Sequence, residues 1–147
     1  MSAKTDWAHL IPHAGTMCLL DAVVDWDASR IHASSASHRD PANPLRRDGR
    51  LHAVHLAEYG AQATAIHGAL RARAAGDTAP RPGMLVTLRD LQLAVETVDD
   101  LPGDLHVHAE CLHADAGGAQ YTFRIQCDDA LVASGRVTVI HPQGDPS

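Results

Sequence analysis

Two rhythms of apolar and polar positions run along this chain. From Leu105 to His113 and from Gln120 to Cys127 the character changes at every residue: His106, His108 and Glu110 alternate with Val107, Ala109 and Cys111, and Tyr121, Phe123 and Ile125 alternate with Thr122, Arg124 and Gln126. A period of two sends one set to the core and the other to solvent, the mark of half-buried antiparallel strands. Met84 to Val95 and Leu131 to Ile140 are also strand-like. The joints carry turn chemistry at Asp99–Asp104 with Pro102 and Gly103, at Asp115–Gly118 and at Asp128–Asp129. Nearer the N-terminus, Met17 to Trp26 is apolar and β-branched enough for a buried strand, and Arg30 to Ser37 alternates as its hairpin partner across a turn at Asp25–Ser29.

Leu51 to Ala75 departs from this rhythm. It is rich in Ala, opens straight after Gly49 and holds neither Gly nor Pro before Gly60, which predicts one long helix. Leu51, Val54, Leu56, Ile66 and Leu70 supply apolar bulk, while Ala57, Gly60, Ala61, Ala63, Thr64, Ala65, Gly68 and Ala69 let neighbouring backbone approach. Glu58 and Gln62 fall one turn apart on a single face of it. Trp7 to Ile11 predicts a short helix stopped by Pro12, followed by a loop with His13. His38 to Arg50 is polar and interrupted by Pro41 and Pro44, so it reads as the loop leading into the long helix.

Two strands, a long apolar helix and four more strands make an α+β chain. The sheet can bury such a helix by curling around it. The layout is the hotdog fold: a six-stranded antiparallel sheet wrapped around one long central helix. Residues 1–142 are expected to form a single domain, with 143–147 as a disordered tail. So small a sheet cannot hide its edges, and pairing with a second copy is the usual remedy.

Composition narrows the function more by exclusion than by direction. Of 147 residues, 45% are apolar and 20% charged, ordinary values for a soluble domain. The sequence has no apolar run near the roughly 20 residues that span a bilayer, and its start lacks the apolar core of a signal peptide, so a cytoplasmic location is expected. The net charge of −6, with no basic cluster beyond Arg46, Arg47 and Arg50, disfavours nucleic-acid binding. Cys18, Cys111 and Cys127 have no metal-ligand spacing and read as reduced, mostly buried thiols. Eleven histidines invite a metal, yet no closed ligand set appears: His106 and His108 share a strand face and His52 and His55 sit a helical turn apart. No metal and no organic cofactor is expected.

Three segments together resemble a family. LIPHAGTMCLLDAVVDW is similar to the opening of the 3-hydroxyacyl-acyl carrier protein dehydratases, a Leu-Pro-His loop leading into an apolar strand. HRDPANP, His38 to Pro44, is similar to that family's His-Phe-Pro-Gly-Asn-Pro loop, and EYGAQA, Glu58 to Ala63, matches its Glu-(two residues)-Ala-Gln-Ala on the central helix. The histidine loop is one residue longer here, Ser37 stands where the family has Gly, and RRDG replaces the Pro-Gly that opens the helix. The longer linker looks more like the divergent branch associated with aryl polyene and related pigment clusters.

The resemblance implies dehydration of 3-hydroxyacyl thioesters on acyl carrier protein, with Glu58 as catalytic acid and His38 as base, in fatty acid or polyene biosynthesis. His13, whose motif is kept better, is the rival base. Gln62 and His55 would assist around Glu58, and backbone N–H groups from Gly49 to Leu51, at the expected helix start, would hold the thioester oxygen. Histidine and acid would come from different subunits of a homodimer or of a hetero-oligomer with another hotdog subunit. A catalytically weak subunit that partners an active dehydratase or the carrier protein, and an acyl thioesterase, are the alternatives.

Overall fold

The computed structural model describes residues 2–3, 18–76, 85–115 and 117–140. The expected N-terminal helix, His13 and the C-terminal tail lie outside these residues. Six main strands form one antiparallel sheet: β2 (Ala22–Trp26), β3 (Arg30–Ser35), β4 (Leu85–Leu93), β5 (Leu105–Asp115), β6 (Gly118–Cys127) and β7 (Ala130–Ile140). The two-residue strand β1 (Ser2–Ala3) extends one edge, and the spatial order is β1-β2-β3-β5-β6-β7-β4. The helix α1 (Leu56–Ala74) packs on β3, β5, β6, β7 and β4. This is the hotdog arrangement that the element order predicts.

Alternation sets which side of each strand meets the helix. Ile31, Ala33, Leu105, Val107, Tyr121, Phe123 and Ile125 are buried, while their neighbours His32, His106, His108, Thr122 and Arg124 are at least partly exposed. From α1, Leu56, Tyr59, Gly60, Ala63, Ile66, His67 and Leu70 face this surface at helical spacing. Phe123 is seated by two glycines. A Cβ on Gly60 would lie 2.7 Å from its ring and one on Gly135 2.9 Å from it, so helix and sheet close together only because both positions lack one.

Two elements begin later than the pattern suggests. The strand expected from Met17 starts at Ala22, because the preceding backbone bonds to side chains: Leu19 N–H donates to Gln62 Oε1 at 2.9 Å and its carbonyl accepts from Ser35 Oγ at 2.6 Å. The helix expected from Leu51 begins as a short 3₁₀ turn at Ala53–His55 and becomes α-helical at Leu56. The residues before it are claimed by the 96–99 segment, since Ala53 N–H donates to the Glu96 carbonyl and Val98 N–H to the Leu51 carbonyl. Val54, expected among the apolar bulk, is 51% exposed as a result.

Candidate active site

β3 ends at Ser35, two residues short of expectation, and the chain turns at once into a 3₁₀ turn, Ser37–Arg39. That turn carries His38, which is fully buried rather than part of an exposed polar loop. Its Nε2 lies 3.0 Å from the Leu101 carbonyl. A carbonyl only accepts, so Nε2 carries the proton and Nδ1 is the unprotonated nitrogen. Nδ1 is buried and has no hydrogen-bond partner among the described residues. Burial pushes the ring's pKa below its ordinary value, so at neutral pH it is a neutral imidazole with one lone pair uncommitted. The turn is clamped on both sides: Arg46 Nη2 donates to the His38 carbonyl at 3.0 Å, and Arg39 binds the Pro102 carbonyl and the Asp104 carboxylate, each at 2.9 Å.

Glu58 stands in the first turn of α1 and is half-buried. Gln62, fully buried one turn on, accepts from Leu19 N–H through Oε1, which orients its amide so that Nε2 faces Glu58 Oε1 at 3.4 Å.

Gly49 and Leu51 do not open the helix. Asp48 and Gly49 have φ of 54° and 77°, and Arg47 and Arg50 exchange both backbone hydrogen bonds around them, so Gly49 is the exposed tip of a type I′ turn. The N–H of Leu51 donates to Asp99 Oδ1 at 2.9 Å and is spent there. The helix start expected at Gly49 to Leu51 is therefore displaced to Ala53–Leu56, and the Leu51 N–H already has an acceptor within the chain. His55 ends the 3₁₀ turn directly before α1, half-buried, its pKa lowered by burial and then by Arg47 and His52.

Sequence pattern passed over the groups that hold this region together. Tyr59, beside Glu58 but on the core face, is fully buried, and its hydroxyl lies 2.7 Å from Ser37 Oγ and 3.1 Å from Asn43 Nδ2. Ser35 was detectable in principle, since it falls on the inward register with Ile31 and Ala33, where a hydroxyl must find a partner. The Leu101 carbonyl carries no side-chain signal at all.

On the opposite side of the sheet, the half-buried His32, His106 and His108 form a patch. His32 Nε2 and His106 Nδ1 are 2.9 Å apart, and the His32 and His108 rings stack at 4.2 Å. A cavity of about 320 Å³ opens there beside Asp25, Trp26, Arg30, Glu110 and Arg124, away from Glu58, Gln62 and His38. Among the described residues no group of three or more His, Cys, Asp or Glu is arranged to hold a metal ion, and no helix is long and apolar enough to cross a membrane.

A family model described as ApeP-like, ApeP dehydratase, matches residues 5–147. No curated protein matches the chain. Among solved structures, the dehydratase heterocomplex ApeI:P from Xenorhabdus doucetiae superposes with a TM-score of 0.82 at 20% identity, over 93% of this chain and 91% of that one. AziG of S. sahachiroi gives 0.58 at 19% identity, over 90% and 97%. A thioesterase from Haemophilus influenzae gives 0.61 at 13% identity, over 100% and 96%. At these identities the likenesses establish the shared fold.

Proposed function

The chain belongs to the ApeP-like dehydratase family, and from that membership we propose that it removes water from 3-hydroxyacyl thioesters carried on acyl carrier protein to give trans-2-enoyl thioesters. His38 is the base and Glu58 the acid. Nδ1 of His38 takes the proton from C2, the C–H electrons become the C2–C3 double bond, and the C3 hydroxyl leaves as water after accepting the proton of Glu58. The elimination is redox-neutral and uses acid–base groups alone. The observation that carries the reading is the state of His38: a neutral ring whose Nε2–H is tied to the Leu101 carbonyl while Nδ1 has no partner among the described residues. A base in an acid–base pair needs that arrangement.

In the single chain His38 is enclosed, so the reading requires the acyl path to open where a second hotdog chain docks, with histidine and acid drawn from different subunits. The edge of the sheet supports such docking. Among the described residues β4 pairs only with β7, and Val86 and Leu93 are 39% and 41% exposed along it. The second chain is another copy or a different hotdog subunit, and the fold-similar Xenorhabdus protein is part of a heterocomplex.

A second reading has its own observation. The complete burial of His38 also fits a subunit that supports an active dehydratase without turning over substrate itself. Purified protein, alone and mixed with a second hotdog subunit, is incubated with a 3-hydroxyacyl carrier-protein thioester while enoyl absorbance and free thiol are followed. Enoyl product from the chain alone supports the first reading; where product appears only in the mixture, its loss with His38→Ala in this chain supports the first reading and its persistence supports the second. Free thiol without enoyl product identifies a thioesterase, and neither product at high enzyme concentration sinks both enzyme readings.

A further inference from the structure

We propose that Tyr59, Ser37 and Ser35 form a one-way hydrogen-bond chain that fixes the His38 turn to the helix bearing Glu58, which makes Tyr59 a positioning residue for the base. The role as base rests on the reading above; the chain of bonds does not.

Every proton in the chain can be placed. Asn43 Oδ1 accepts from Leu45 N–H at 2.9 Å, so Nδ2 points the other way and donates to the Ser37 carbonyl at 2.9 Å and to the Tyr59 oxygen at 3.1 Å. Having accepted from Asn43, Tyr59 gives its single O–H to Ser37 Oγ at 2.7 Å. At the far end Ser35 Oγ must donate to the Leu19 carbonyl at 2.6 Å, because a carbonyl has no proton to give. Ser35 Oγ therefore accepts from Ser37 Oγ at 2.8 Å, as well as from Ser37 N–H at 3.1 Å. The direction runs Asn43, Tyr59, Ser37, Ser35, Leu19 with no hydroxyl free to reverse.

The peptide of Leu19 carries the connection onward. Its carbonyl ends the chain from Tyr59, and its N–H donates to Gln62, whose Nε2 faces Glu58. Tyr59 and Ser35 are buried to within 1% exposure and Asn43 to within 6%, so bonds lost here are not replaced by bulk water. The residue preceding His38 is thus held by its side chain, its carbonyl and its N–H at once, through four bonds to Tyr59, Asn43 and Ser35.

Tyr59→Phe removes the one donor that feeds Ser37 while keeping the ring's volume. In the wild type, imidazole ¹⁵N shifts should show His38 as a single Nε2–H tautomer. In Tyr59→Phe, and independently in Ser37→Ala, the shifts should move toward a tautomer mixture, and amide exchange over Ser37–Arg39 should accelerate roughly tenfold without a matching change in the β5–β6 core. Where turnover is measured, kcat should fall roughly tenfold to a hundredfold with KM nearly unchanged. Ser37→Thr, which keeps the hydroxyl, should restore the wild-type signals. If Tyr59→Phe does not fold, Ser37→Ala decides. Unchanged His38 shifts and unchanged exchange in a folded Ser37→Ala protein overturn the proposal. Because the shift and exchange readouts need no substrate, a wild type without activity would sink the dehydratase reading and leave this one standing.

Discussion

The Nε2–H of His38 points at the carbonyl of Leu101 from 3.0 Å, and this one bond decides which nitrogen of a buried ring is left to accept a proton. The carbonyl belongs to a turn 63 residues further along the chain, so the base depends on the register of a distant connection and not on its own loop alone. Leu101–Asp104 in turn holds Arg39 through the Pro102 carbonyl and the Asp104 carboxylate.

Glu58→Gln should abolish dehydration while leaving fold and assembly intact. The amide keeps the size of the side chain and its place beside Gln62, but has no acidic proton to give. Turnover at the wild-type rate in this variant would remove Glu58 from the mechanism.

The tie between Leu51 and Asp99 should be worth more than its exposed surroundings suggest. Leu51 is fully buried, its N–H has Asp99 Oδ1 as acceptor, and Arg50 Nε closes on the same carboxylate at 3.0 Å. Burial raises the Asp99 pKa, but the Leu51 N–H and the Arg50 guanidinium outweigh it and hold the carboxyl below its ordinary range. Asp99→Ala strands the Leu51 N–H and should lower unfolding stability by about 1–3 kcal/mol in urea titrations.

Gly60→Ala tests the packing of helix on sheet. Helix propensity alone favours Ala by about 1 kcal/mol. The new Cβ would stand 2.7 Å from the Phe123 ring, which Gly135 already confines from the other side. Overpacking of that kind costs about 1–3 kcal/mol, so the net change should be destabilising, read as a lower denaturation midpoint at unchanged m-value.

Stability should fall as pH drops below the ordinary histidine value of 6.5. Burial lowers the pKa of His32, His38, His55 and His67, and burial together with His32 and Arg124 lowers that of His108 to about 4. Each binds a proton less readily in the folded chain, so acid favours the unfolded one, and the loss runs from about 6.5 down through the lowered folded values. Denaturation midpoints measured between pH 7.5 and 4.5 should decline across that window, and His108→Gln should flatten part of the decline. A flat profile in the wild type would contradict the buried-neutral state of these rings.

The fold was readable because it rests on periodicity, a property carried by many residues at once. The alternation of Tyr121, Phe123 and Ile125 against Thr122, Arg124 and Gln126 located β6 to within two residues, and the Ala-rich stretch located α1 apart from its first turns. What misled there was Leu51, apolar and followed by helix formers. It is held extended by Val98 and Asp99, partners almost 50 residues away that no local preference reports. For the same reason the spacing of EYGAQA marked Glu58 and Gln62 on one face, whereas the Leu101 carbonyl and the Tyr59–Ser37 bond join segments 63 and 22 residues apart that no local spacing reports. Gly49 shows the opposite error: Asp-Gly is a strong hairpin signal, and read as such it would have placed the tip of a turn there.

The role of His38 is tested most directly by comparing kcat/KM on a 3-hydroxyacyl carrier-protein thioester for the wild type, His38→Ala and His13→Ala. Loss of the base should cost roughly a hundredfold to ten-thousandfold in His38→Ala, with His13→Ala close to the wild type. A folded His38→Ala protein that turns over normally while His13→Ala loses activity would contradict the assignment and move the base to His13.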